Sequence, residues 1–227
     1  MKYLRSSVIA LFGALVILSS CDSGDISSEE KVNEIDVNEA EIEILKQKIT
    51  LGLDQKASWK KHWESSVGAF SGDDFNWVLT DSIDPMEMPE SNPILDGDPL
   101  KQFQFNHPEG NGTIDIYSYK VEAQESLDKP FLNPDSEVVW YRKDGMKERL
   151  LFMGPSGMFE DAMWMSPSES LVLGYFQEEE GFRPMIWLID LEDHTMSQFS
   201  LQKVSPSYET VSYLNKRLTS VQLENEF

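Results

Sequence analysis

The chain has 227 residues, with 40 acidic against 19 basic side chains and a formal charge of −21. A surface so acidic repels phosphate backbones and lacks the counterion release that drives nucleic-acid binding, so nucleic acid is not an expected partner; basic proteins, divalent cations and neutral glycans stay compatible. Only one cysteine occurs, Cys21, so no internal disulfide and no Cys-ligated metal is expected, and stability must come from a packed core.

The first element is a leader. Lys2 and Arg5 precede an almost uninterrupted apolar run from Val8 to Leu18. A positive start followed by a short apolar stretch has the build of an export signal. The run falls well short of the roughly 20 residues a membrane-spanning helix needs. It ends in Leu18-Ser19-Ser20-Cys21, which resembles the lipobox of bacterial lipoproteins. That resemblance implies lipid on the Cys21 thiol, cleavage after Ser20 and acylation of the new amino terminus, hence a protein held at the cell envelope by its acyl chains. Asp22 follows the lipidated position; lineages differ in how they sort on it, so inner or outer membrane stays open. The implied organisation is a signal over 1–20, an acidic tether over 21–36, a helical segment over 37–70 and an antiparallel β domain over 71–227.

Past the tether, Ile42, Leu45 and Ile49 recur on one helical face, so Asn38 to Leu51 reads as a helix. Gly52 is expected just past its end, and Asp54 as the N-cap of a second helix. In that second helix Trp59, Trp63, Val67 and Phe70 fall on one stripe, expected to be core. His62 lies beside the stripe and reads as solvated or hydrogen-bonded, not as a metal ligand.

From Ser71 the period changes to that of strands. "SGDD" is a turn and "FNWVLT" (75–80) a strand, while 81–99, with Pro85, Pro89, Pro93 and Pro99, reads as a long irregular loop. Short β-like runs follow: "KQFQFN", "TIDIYSYKVE", "EVVWYRK", "ERLLFMG", "DAMWMS", "SLVLGYF", "RPMIWLIDLE" and "TMSQFSL". Turn residues separate them. The expected fold is mainly β, an antiparallel meander (open sheet, sandwich or partly propeller-like) preceded by one or two helices. Residues 207–227 read equally as one more strand or a short helix.

One stretch, Phe159 to Leu201, resembles a TolB-type β-propeller repeat through Trp164, Ser166, Pro167, Ile186, Trp187, Ile189, Asp190 and Leu191. The resemblance implies a tight turn at Ser166-Pro167, a buried strand at Ile186-Trp187, and an Asp190 side chain that accepts backbone N–H bonds at the strand exit. Met165 is an extra residue in the corner. Ser168, Glu169 and Ser170 stand where the family favours Asp, Gly and Lys, and His194 where it favours Gly. Residues 75–201 hold about three blades' worth of chain, and closure needs at least four; a twisted sheet or two packed sheets is the expected form.

Catalytic patterns are sparse. His62, His107 and His194 are far apart and form no zinc-binding pair. "GPSGM" (154–158) has Met158 where a nucleophile elbow needs Gly, and reads as a hairpin turn. The acidic loops "DGD" (96–98), "SGDD" (71–74) and "DSID" (81–84) do not fit the calcium-binding EF-hand template. No catalytic, cofactor or metal residue is therefore assigned. The preferred reading is a non-enzymatic envelope lipoprotein that offers a β surface to a protein or glycan partner. The alternative is a hydrolase or carbohydrate-active accessory domain in which Trp140, Tyr141 and Trp164 stack on sugar rings, with strand alternation placing Trp140 and Tyr141 on opposite faces.

Overall fold

A computed structural model describes residues 35, 37–84, 86–122 and 131–219. The leader, Cys21 with Asp22, and the tether save Ile35 lie outside the described residues, as do Pro85 and the last eight residues. Strand makes up 40% and helix 23% of what is described, so the fold is mainly β, with helices on its N-terminal side.

Helix α1 (Glu39–Gln55) starts where the sequence places it. The Asn38 side chain accepts the N–H groups of Ala40 and Glu41, and Glu41 reaches back to the Asn38 N–H, a reciprocal cap of two orphan donors. Its end is different. Gly52 does not stop the helix, and Asp54 is not an N-cap: α1 runs on to Gln55, and α2 (Ala57–Val67) follows directly after Lys56. Gly52 is there for closeness. A Cβ at this position would lie 2.8 Å from the Leu171 Cδ1 of the sheet beneath.

Two five-stranded antiparallel sheets form the body. The first contains β1 (Phe75–Ser82), β9 (Gly157–Trp164), β10 (Glu169–Glu178), β11 (Gly181–Asp190) and β12 (Thr195–Leu201), in the order β1-β12-β11-β10-β9. Ser170 to Tyr175 and Pro184 to Ile189 are buried without alternation, so the centre of this sheet is covered on both faces. The helices cover one of them: Trp59, Trp63, Ile49 and Leu53 share a core with Leu171, Leu173, Ile186 and Phe199. The second sheet has the order β2-β8-β7-β4-β3, from β2 (Met86–Pro89), β3 (Phe105–Asn106), β4 (Thr113–Asp115), β7 (Ser136–Tyr141) and β8 (Met146–Met153). β5 (Val121–Glu122) pairs with β6 (Phe131–Leu132) separately.

Several sequence expectations are corrected. The loop read over 81–99 contains an exposed edge strand, β2, whose Pro89 closes it where no ladder donor is required. "TIDIYSYKVE" is not one strand. Asp115 Oδ1 accepts the N–H groups of Tyr117 (2.9 Å) and Ser118 (2.7 Å), a local turn that ends β4 after three residues. "KQFQFN" is a single tight helical turn followed by the two-residue β3. The turn in "GPSGM" joins β8 to β9, strands of different sheets, so it is a corner and not a hairpin. At the C-terminus, α3 (Ser212–Arg217) resolves the open choice for its segment as a helix. Among the described residues no helix is long and apolar enough to cross a membrane.

The turns flanking β10 and β11 follow their residues. Ser166 Oγ accepts the N–H of Glu169 at 3.0 Å in the β9–β10 corner. Asp190 Oδ1 accepts those of Glu192 and Asp193 at 2.9 and 3.1 Å in the β11–β12 turn. His194 has φ 51°, the left-handed conformation that ordinarily selects glycine.

Candidate functional site

The site begins with an irregularity in β9. Asp161 pairs with Leu173 and Phe159 with Gly174, so Glu160 is an extra residue without a partner on β10. Gly174 opposite it permits the close approach: a Cβ there would lie 2.1 Å from the Met158 carbonyl oxygen. A bulge breaks alternation and re-aims side chains. Here consecutive residues Glu160 and Asp161 both find partners on the N-terminal side and in the C-terminal segment: Glu160 on α2 and Tyr208, Asp161 on Lys56 at the α1–α2 junction and on Tyr213.

Glu160 is completely buried. Its Oε2 accepts the indole N–H groups of Trp59 and Trp63, both at 2.8 Å, and its Oε1 accepts the Tyr208 hydroxyl at 2.5 Å. Burial pushes its carboxyl up to about 7, against the pull of these three donors, with the neighbouring Asp161 charge adding to the rise. The cation goes to Asp161 instead. Lys56 Nζ donates to Asp161 Oδ1 at 2.7 Å, Tyr213 donates to Oδ2 at 2.6 Å, and Arg217 lies 3.8 Å away. Tyr117 completes the cluster by donating to the Glu160 carbonyl at 2.8 Å. The two acids thereby tie the α1–α2 junction, α2, the central sheet and α3 together.

Tyr208 carries this network to a surface. Its ring stacks on Trp63 with centroids 3.9 Å apart and meets Tyr175 edge-on at 5.4 Å. Burial and the Glu160 charge push its hydroxyl far above the ordinary tyrosine value, which keeps it a donor. Tyr208 and Tyr175 form part of the wall of a cavity of about 870 Å³. Met158, Phe182, Val211, Leu132 and Pro134 also line it. Its polar lining includes Gln177, Glu209 and Lys120. Lys120 is 92% buried yet cationic in kind: its Nζ donates to the carbonyls of Asn133 (2.6 Å) and Pro134 (3.0 Å). Burial lowers its ammonium to about 8, opposed by the nearby Asp135 charge.

The sequence-derived aromatics divide. Trp140 and Trp164 come together, rings 5.9 Å apart, with His107 stacked on the first at 6.1 Å and edge-on to the second at 4.6 Å. Both tryptophans are half-buried. Their indole N–H groups are committed to the carbonyls of Asn111 and Phe105. His107 accepts the Glu109 N–H at Nδ1 and so donates from Nε2 to the Pro167 carbonyl at 2.8 Å. Tyr141 is buried on the opposite face of its strand, away from this group, with Lys147 Nζ 5.8 Å from its ring. His62 is hydrogen-bonded, with Nε2 3.2 Å from the Tyr208 hydroxyl and 3.1 Å from Ser212 Oγ; burial, helped by Lys216, lowers its basicity.

The acidic loops spend carboxylates on their own backbones. Asp74 accepts the Ser71 N–H at 2.7 Å, and Asp98 that of Leu100 at 2.7 Å. Among the described residues no three His, Cys, Asp or Glu side chains come together as a metal would require. Sequence reasoning passed over Glu160, Asp161 and Lys120. The signal for the first two was present: two adjacent acids inside the otherwise apolar "GMFEDAMW". Compared with protein-family models, with curated proteins and with solved structures, the chain matches none.

Proposed function

We propose that the chain is a cell-envelope lipoprotein, fastened through acyl groups on Cys21, whose β body is a non-enzymatic binding module for a small apolar molecule. The observation that carries the binding reading is the cavity. Its 870 Å³ falls within the roughly 300–1,000 Å³ of small-molecule sites, and apolar and aromatic side chains dominate its walls. Its back wall is prepared in advance. Trp63 stacks on Tyr208, and Glu160 fixes the hydroxyl of the same ring, so little side-chain freedom remains to be lost on binding. The Leu18-Ser19-Ser20-Cys21 motif supports the anchor, and the net charge of −21 speaks against nucleic acid as a partner.

Titration of the full chain carrying Cys21→Ser with the neutral dye Nile red tests the reading. Saturable one-site binding that is lost in Thr210→Trp, which fills the cavity from its lining, is the expected result. Equal dye uptake by both chains overturns it.

A second reading, a carbohydrate-active accessory surface, draws support from the meeting of half-buried Trp140 and Trp164 beside His107. Calorimetry with soluble oligosaccharides, compared between the parent chain and Trp140→Ala, tests that reading separately.

A further inference from the structure

Lys120 is an unusual residue to find in an apolar wall. Its ammonium carries three N–H donors. Two of them hold the carbonyls of Asn133 and Pro134, and among the described residues no acceptor is placed for the third. A cation this deeply buried is costly without a full set of partners. Lys120 also lines the cavity, so its third N–H is the donor it can offer a guest.

We infer that the cavity accepts a long-chain monocarboxylate, its carboxylate on the third N–H of Lys120 and its chain along Met158, Tyr175 and Phe182. This deepens the binding reading and rests on it. Charge complementarity selects the head group. One positive charge and one open donor match one carboxylate. A doubly charged phosphate asks for more donors than Lys120 supplies, and its second charge is opposed by a chain of net charge −21. The chain of the ligand is selected by the wall, where methionine and aromatic rings offer contact without directional demands. Burial lowers the Lys120 ammonium to about 8, and a bound carboxylate would favour its charged form.

The experiment compares three probes of one chain length on the full chain carrying Cys21→Ser: dodecanoate, dodecanol and dodecyl phosphate, each competing with Nile red. Dodecanoate is expected to bind about tenfold to a hundredfold more tightly than dodecanol, the range for a hydrogen bond to a charged group. Lys120→Met is expected to abolish that preference and leave dodecanol binding in place, which shows that the cavity survives the substitution. The ratio in the parent chain stands as a test even if Lys120→Met fails to fold. Equal affinity for dodecanoate and dodecanol in the parent chain overturns the inference, and so does tighter binding of dodecyl phosphate. In either case Nile red still binds and the apolar cavity reading survives. Loss of all binding, Nile red included, overturns both.

Discussion

Replacing Glu160 with glutamine keeps the size of the side chain and its hydrogen bonds while removing its ability to ionise. The amide oxygen takes the place of Oε2 as acceptor for Trp59 and Trp63, and the amide nitrogen faces the Tyr208 hydroxyl, which accepts from it. The Tyr208 hydrogen is then free to turn to His62 Nε2, 3.2 Å away. In the parent chain the folded protein holds the Glu160 proton up to about pH 7, against an ordinary value of 4.5. Because the folded state binds this proton more tightly than the unfolded chain, the stability linked to it is complete below about pH 4.5. It drains away as pH rises through about 7. The total is about 3 kcal/mol, lost at up to about 1.4 kcal/mol per pH unit. Urea unfolding at pH 5, 6, 7 and 8 reads this directly. Glu137 and Glu148, which are raised by burial, are common to both chains and cancel in the difference; a Tyr208 hydroxyl turned to His62 favours the neutral imidazole, so any remaining difference at His62 adds to the gain of the variant as pH rises. The expected result is that Glu160→Gln gains on the parent by about 2.5 kcal/mol between pH 5 and pH 8, the rest of the loss having occurred below pH 5. Stability curves that run parallel over that interval would refute the assignment of a strained, cation-free acid at this position.

Three further outcomes follow from the same structure. Lys56→Met leaves the buried Asp161 with the Tyr213 hydroxyl but with only the distant Arg217 as a cation, and should cost about 3 kcal/mol, part of which Asp161→Asn restores in the double variant; an unchanged urea midpoint would show that the pair contributes nothing. Gly174→Ala drives a methyl group into the Met158 carbonyl and should cost about 3 kcal/mol or more, seen as a lowered melting temperature or insoluble protein. On the lipoprotein reading, Cys21→Ser shifts the protein from the detergent phase to the aqueous phase on phase partitioning, and a variant that stays with the membrane removes the lipid anchor from the account.

Local signals in the sequence were legible wherever neighbours in the chain decide the outcome. Asn38 with Glu41 marks a helix start, the tryptophan pair at 59 and 63 marks a buried face, and Asp190 marks a turn, because each acts within a few residues. Gly52 misleads for the opposite reason. Its role is set by Leu171, more than a hundred residues away, and nothing near it in the chain discloses that a strand will cross there. The same holds for the tryptophans: their stripe identifies them as core, yet their N–H groups serve Glu160, 101 and 97 residues further on. Periodicity fails at Glu160 and Asp161 because a bulge suspends the alternation on which it depends. Lys120 gives no pattern at all. A lysine between a tyrosine and a valine is ordinary until the carbonyls of Asn133 and Pro134 are folded around it.

The pairing of β1 with β12 has a bearing on how the molecule comes into being. Asn76 and Gln202, at the outer edge of the first sheet, touch across a separation of 126 residues. A chain emerging from its amino end leaves β1 waiting, mateless, until almost the whole polypeptide has been synthesised. Long-range closure of this kind is slow. The sheet is therefore completed late, and a ribosome that stops before Thr195 releases a product in which the facing borders of β1 and β11, which β12 would have joined, are both left open.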